Sequence, residues 1–146
     1  MNFASKSQQS QQLGVYIKDE KSVYACIGIH YFYYSCFQLM LQVIENDPAK
    51  KESVEKSEEN KRQGSHEIRF DLILNDLWKK NTKLLLEHQK ENKIKIAAFT
   101  SNFNELKNMR ELADYTQELC TKDAIDRAFL ISTEIISFLK KQYAIK

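Results

Sequence analysis

Arg110 and Asp114 stand four residues apart, so on a helix they share one face. Tyr115 follows directly and adds a phenolic hydroxyl. The acid lies C-terminal to the base, which is the weaker orientation for a helix ion pair and sets a carboxylate toward the negative end of the macrodipole. Two readings stay open. The pair is a surface ion pair, or Arg110 faces a phosphate and Asp114 belongs to a polar site, a task that suits a planar guanidinium. Tyr115 is in the same position: an aromatic at the edge of the core, or a hydroxyl close to a bound phosphate.

His66, directly after Ser65, is either an exposed residue behind a helix cap or a ligand-contacting imidazole near Arg110. His30 lies in an apolar stretch and reads as a hydrogen-bonded core or interface residue. Tyr31, Tyr33 and Tyr34 read as packing more readily than as a base-stacking platform. Lys79, Lys80 and Lys83, with Lys90, Lys93 and Lys95 beyond them, outnumber Glu87 and Glu91 and offer a basic patch that an RNA backbone could follow. Ordinary solvated lysines give the same pattern. No Gly-rich phosphate loop, metal-ligand cluster or Ser/His/Asp spacing stands out, and neither a metal nor a cofactor is expected. Cys26, Cys36 and Cys120 are odd in number and scattered, so the expectation is three buried thiols in a reducing cytoplasm, with no disulfide.

The elements that must position these groups are helical. The chain of 146 residues holds only 3 Gly and 1 Pro, too few turn formers for a strand-rich fold. Its hydrophobic share of 42% supports a real core, and a net charge of +2 excludes a protein that is basic over its whole surface. The polar start, Met1 to Gln12, carries no leader pattern. Residues 22–44 lack Asp, Glu, Lys and Arg, but His30, Ser35, Gln38, Gln42 and the tyrosines suit a bundle core better than hydrocarbon, so no membrane partner is expected.

Periodicity predicts five helices. The first covers 2–18, with Phe3, Leu13, Val15, Tyr16 and Ile17 on its apolar side and Gly14 as a weak point. The second, 22–46, is capped by Ser22 and is apolar nearly all round, which places it at the centre or at an interface. Residues 48–64 are charged, hold no aromatic and read as a flexible loop. The third covers 65–90, capped by Ser65 and open to interruption at Asn81-Thr82. The fourth covers 93–115, with Ile96, Phe99, Phe103, Leu106, Met109 and Ala113 at helical spacing and a late start at a capping box formed by Asn102 and Glu105. The fifth, 122–143, is capped by Thr121. The expected fold is a single all-α, up-and-down bundle over 1–146.

Three stretches in order resemble the HEPN family (higher eukaryotes and prokaryotes nucleotide-binding). The run from Tyr24 through His30-Tyr31-Phe32-Tyr33-Tyr34 to Phe37 resembles the family's aromatic helix. Ser65-His66 opens the next helix, as in related proteins. Leu106 to Tyr115, with Arg110, Ala113, Asp114 and Tyr115, resembles the "L..lR..ADY" signature of a branch often found beside minimal nucleotidyltransferases. The resemblance covers roughly residues 20–140 without the 48–64 insertion. It implies a cytoplasmic homodimer in a prokaryotic toxin–antitoxin or defence system, with Tyr31, Tyr34 and Phe37 at the dimer face. It also implies a metal-independent ribonuclease site with Arg110 on the scissile phosphate and Asp114, Tyr115 or His66 polarising the nucleophile. The catalytic members carry a His four to six residues after the Arg, and here Tyr115 stands in that place. A phenol with a pKa near 10 is a poor base at neutral pH, where an imidazole near 6.5 is a good one. The alternative is a non-catalytic module that binds a nucleotide or a nucleotidyltransferase antitoxin.

Overall fold

A computed structural model of the chain describes residues 2–59, 64–115 and 120–146, with the backbone alone at 115. Among the described residues it is all helix: α1 (Phe3–Glu20), a 3₁₀ turn (Ser22–Tyr24), α2 (Ala25–Glu45), α3 (Pro48–Glu59), α4 (Ser65–Thr82), α5 (Leu86–Tyr115) and α6 (Lys122–Gln142). No helix among them is long and apolar enough to cross a membrane.

α2 is the axis of the bundle, as its all-round apolarity demands: Phe32, Tyr33, Cys36, Leu39 and Met40 are completely enclosed. α1 runs antiparallel along it. Ser7 Oγ donates to the Ser35 carbonyl at 2.6 Å and Ser10 Oγ to Gln38 Oε1 at 2.8 Å. α6 runs parallel to α2, with Phe129 beside Phe32 and the Cys36 thiol directed at the Ser132 carbonyl. α5 crosses back antiparallel to both, pairing Phe99 with Phe138 and Glu105 with Arg127. α4 lies antiparallel to α5, with the Phe70 and Phe103 rings stacked at 4.4 Å.

Several expectations need correction. The expected apolar side of α1 is only partly inward: Val15 and Ile17 pack against the core and Phe3 is half-buried, but Leu13 and Tyr16 are exposed, and the fully buried positions are Ser7, Ser10 and Gly14. Small residues let α1 and α2 approach closely, and the hydroxyls find partners across the seam. Ser22 opens the 3₁₀ turn rather than capping α2, whose N-cap Tyr24 makes no side-chain bond. Gly64, not Ser65, occupies the N-cap of α4. The 65–90 segment is two helices, broken after Thr82, with buried Asn81 accepting from Asn92 across the break. α5 is continuous from Leu86, so Asn102 and Glu105 are not a cap; their side chains bind Glu134 and Arg127 on α6.

The charged stretch is a sixth helix over Pro48–Glu59, not a loop; the rest of the proposed loop, residues 60–63, lies outside the described residues. α3 buries a single apolar side chain, Val54. Ion pairs hold it in place: Lys50 with Asp47 and Asp76, Lys51 with Glu45, and Glu58 with Arg69. Finally, Cys26 and Cys120 form a disulfide with their Cα atoms 5.2 Å apart, so only Cys36 is a free, buried thiol, its pKa pushed up to about 12 by burial.

Candidate functional site

Three helices bring the sequence's candidates together. Arg110, late on α5, turns inward against α2, with only 12% of its side chain exposed. Its guanidinium carbon sits 4.7 Å from the centre of the Tyr33 ring, a cation–π distance. Its Nη1 is 3.5 Å from Asp114 Oδ2, one turn on. Its Nε is enclosed with no hydrogen-bond partner. A donor left in that state costs free energy.

Asp114 has a second neighbour that the sequence did not suggest. His30 reaches it from α2, its Nδ1 3.2 and 3.3 Å from the two carboxylate oxygens. The His30 ring lies 4.4 Å from the Tyr34 ring and keeps 40% of its side chain exposed. A carboxylate bonded to Nδ1 fixes the ring's orientation and leaves Nε2 available. One carboxylate thus sits between a guanidinium and a solvent-accessible imidazole.

The other imidazole is arranged differently. His66, in the first turn of α4, packs on Phe37 at 3.9 Å and bonds the Tyr33 hydroxyl through Nδ1 at 2.7 Å. Burial, and then the positive charges of Arg110, Arg69 and Lys107, lower its pKa below 6.5. Burial also pushes the Tyr33 phenol well above its usual 10, outweighing the opposite pull of Arg110. Both groups are therefore neutral near pH 7, and a single hydrogen bond joins the Tyr33 hydroxyl to Nδ1 of His66. Tyr33 is a fixed platform joining Arg110 to His66, and it is not a base.

Arg110, Asp114 and His66 are thus assembled in one place. The side chain of Tyr115 lies outside the described residues. Of the residues expected at an interface, Phe37 is 7% exposed and faces the core. Tyr34 is half-buried against His30 and His66, and Tyr31 is half-buried beside His30. Lys79, Lys80 and Lys83 sit at the opposite end of α4 from His66, roughly 20 Å along the helix. Lys80 is engaged locally, its Nζ 3.9 Å from the ring centre of Tyr143 near the C-terminus and 3.9 Å from Asp76 one turn back on α4.

His30 and Tyr33 are the members that the sequence placed outside the site, His30 as a hydrogen-bonded core or interface residue and Tyr33 as packing. The available signal was their spacing: His30, Tyr33, Tyr34 and Phe37 form an i, i+3, i+4, i+7 stripe in which one member is an imidazole. Comparisons with family models, with curated proteins and with solved structures give no match for this chain.

Proposed function

We propose that the chain is a HEPN-type, RNA-directed protein of a prokaryotic toxin–antitoxin or defence system, working in the cytoplasm as a homodimer, with Arg110 as the phosphate-holding residue. What supports this reading is the state of Arg110: drawn almost wholly into the bundle, stacked on Tyr33, and left with an orphaned Nε. A merely structural surface ion pair would be solvated. The missing motif His at 115 does not deprive the site of an imidazole, because His30 stands on the far side of Asp114. In a metal-independent cleavage His30 would take the proton of the RNA 2′-hydroxyl as that oxygen attacks phosphorus. Asp114 would stabilise the imidazolium, Arg110 the developing charge on the phosphate, and the 5′-oxygen would leave.

A second reading has its own observation. Asp114 partly neutralises Arg110, and Tyr33, beneath the guanidinium, is held by its hydrogen bond to His66. A site so arranged also suits retention of a nucleotide without cleavage, alone or beside a nucleotidyltransferase antitoxin.

Expression in a bacterial host, wild type against Arg110→Ala and His30→Ala, with total RNA resolved on a gel, separates the two. Growth arrest with RNA fragmentation that needs Arg110, and that falls about 10²- to 10⁴-fold without His30, is the expected result. Intact RNA with nucleotide binding by calorimetry would select the second reading. RNA fragmentation equal in wild type and Arg110→Ala would remove the first reading, and nucleotide binding unchanged by Arg110→Ala, or absent, would remove the second.

A further inference from the structure

The corner between α4 and α5 lies at the end of the bundle away from Arg110. α4 stops at Thr82 and α5 starts at Leu86, and Leu86 to Arg110 is roughly 36 Å along α5. Three consecutive leucines stand out from this corner: Leu84 is 40%, Leu85 66% and Leu86 84% exposed. Trp78, one turn before the end of α4, is 39% exposed. Single exposed apolar side chains are common on protein surfaces, whereas a contiguous group rimmed by polar residues marks an interaction site. We infer that this corner docks the protein on the surface of an anionic lipid bilayer, with the leucines inserted and the lysines around them on the headgroups.

Charge selects the partner. Residues 79–95 hold six lysines against two glutamates, a net of +4, while the whole chain is +2, so the rest of it sums to −2. The positive excess of the protein therefore sits around the leucines. Both acids turn to neighbours, Glu91 to Lys95 at 3.4 Å and Glu87 to His88 at 3.4 Å. Lys79, Lys83, Lys90 and Lys93 are exposed on the flanks. Their long stems can lie along apolar surface while the ammonium groups meet phosphate. An RNA backbone would satisfy the lysines and leave the leucines in water. Base stacking needs aromatic rings, and Trp78 is the one Phe, Tyr or Trp among residues 78–95.

The backbone of the corner is prepared for an apolar setting. A turn usually gives its carbonyls to water, which hydrocarbon does not replace. Here the Asn81 carbonyl accepts from the Leu84 amide at 3.1 Å, and the Leu85 carbonyl from the His88 amide at 2.9 Å. Gln89 Nε2 donates to the Leu84 carbonyl at 2.9 Å and to the Thr82 carbonyl at 3.5 Å. Beneath them Asn92 donates to buried Asn81. The first amides of α5 have no carbonyl within their own helix and suit a lipid phosphate. No helix among the described residues can cross a membrane, so the contact is peripheral. The absence of a membrane partner expected from residues 22–44 concerns a span, and this contact is made by other residues.

Sedimentation of the full chain with vesicles of phosphatidylserine and phosphatidylcholine, against phosphatidylcholine alone, tests the docking. Trp78, the chain's single tryptophan, reports insertion through its fluorescence. Binding roughly 10- to 100-fold stronger to the anionic vesicles is expected, weakened by salt and accompanied by a blue shift. Leu85→Asp/Leu86→Asp should weaken binding at least about tenfold and abolish the shift. Lys79→Gln/Lys83→Gln/Lys90→Gln should remove the preference for phosphatidylserine, since each lysine near such a surface contributes about fivefold. Both variants should keep the wild-type circular dichroism, because all five side chains are exposed. No vesicle binding, equal binding to both compositions, or binding that survives the leucine variant would overturn the inference. So would RNA binding lost in the lysine variant without any lipid binding, which assigns the corner to RNA. A dimer broken by Leu85→Asp/Leu86→Asp without any lipid binding overturns it too, and assigns the corner to a second copy. None of these outcomes touches the reading of Arg110.

Discussion

The Cys26–Cys120 disulfide ties the first turn of α2 to the residue just before the N-cap of α6, across 94 residues of chain. Closing a loop of that length removes denatured-state entropy worth about 4.7 kcal/mol at 25 °C in the chain-entropy account, while measured disulfides deliver about 2–4 kcal/mol. The junction has other support: Thr121 caps α6 through the Ala124 amide at 3.0 Å, and Ile125 packs into the space that a Cβ at Gly28 would occupy. The Cys26→Ser/Cys120→Ser variant should therefore fold, with a loss of about 3 kcal/mol. For a domain of this size that lowers Tm by roughly 10 °C, and it moves the urea midpoint down by about 1–2 M, with a steeper slope because the unlinked denatured chain exposes more surface. Denaturant titration of the oxidised wild type, the reduced wild type and the double variant checks the value. Counting thiols in denaturant without reductant should find one, from Cys36. Three thiols in protein purified under oxidising conditions, or a double variant as stable as the oxidised wild type, would refute the reasoning. The outcome also bears on where the protein works. A reducing cytoplasm holds such a pair as thiols, and the bundle must then stand on its packing alone.

Two further perturbations test the packing and the site. Gly14→Ala should destabilise: a Cβ there would lie 2.6–2.9 Å from three Phe32 ring atoms. The helix-propensity gain of about 1 kcal/mol is outweighed by an overpacking cost of about 1–3 kcal/mol, and a urea midpoint above wild type would contradict the packing argument. His66 gives a pH test. Its folded-state pKa lies below 6.5, so the unfolded chain binds the proton more readily. The stability it contributes is complete above pH 6.5 and is lost as pH falls from there through the folded pKa. His66→Gln should flatten stability between pH 5 and 7, measured by urea titration at each pH, and an unchanged slope would count against a neutral, buried His66.

How far the sequence reveals this molecule depends on where each element gets its stability. α2 and α6 were legible because each draws on a strong one-dimensional signal: continuous apolarity in the first, a threonine cap followed by a regular apolar face in the second. α3 was not, because it has a single buried apolar side chain and is held by ion pairs to residues outside itself. A polar helix of that kind has no hydrophobic period to detect. The disulfide was hidden for a related reason. Nothing in the spacing of Cys26 and Cys120 says that the parallel packing of α6 on α2 brings their Cα atoms within bridging distance.

The site follows the same division, and one sequence anomaly acquires a cause. Arg110 and Asp114 were visible as a pair because they share a helix, and their order was wrong for helix stability. The structure puts a third polar group, the His30 imidazole, on that pair from another helix. Asp114 lies at the C-terminal end of α5, where the macrodipole disfavours a carboxylate, because that is where α2 presents His30 at 3.2 Å. Moving the acid to the helix-stabilising side, at position 106, would put it where Leu106 is completely buried in the core. The acid therefore stands at the position that can reach both Arg110 and an exposed imidazole. A pair selected only to support its own helix would have no reason to accept that arrangement.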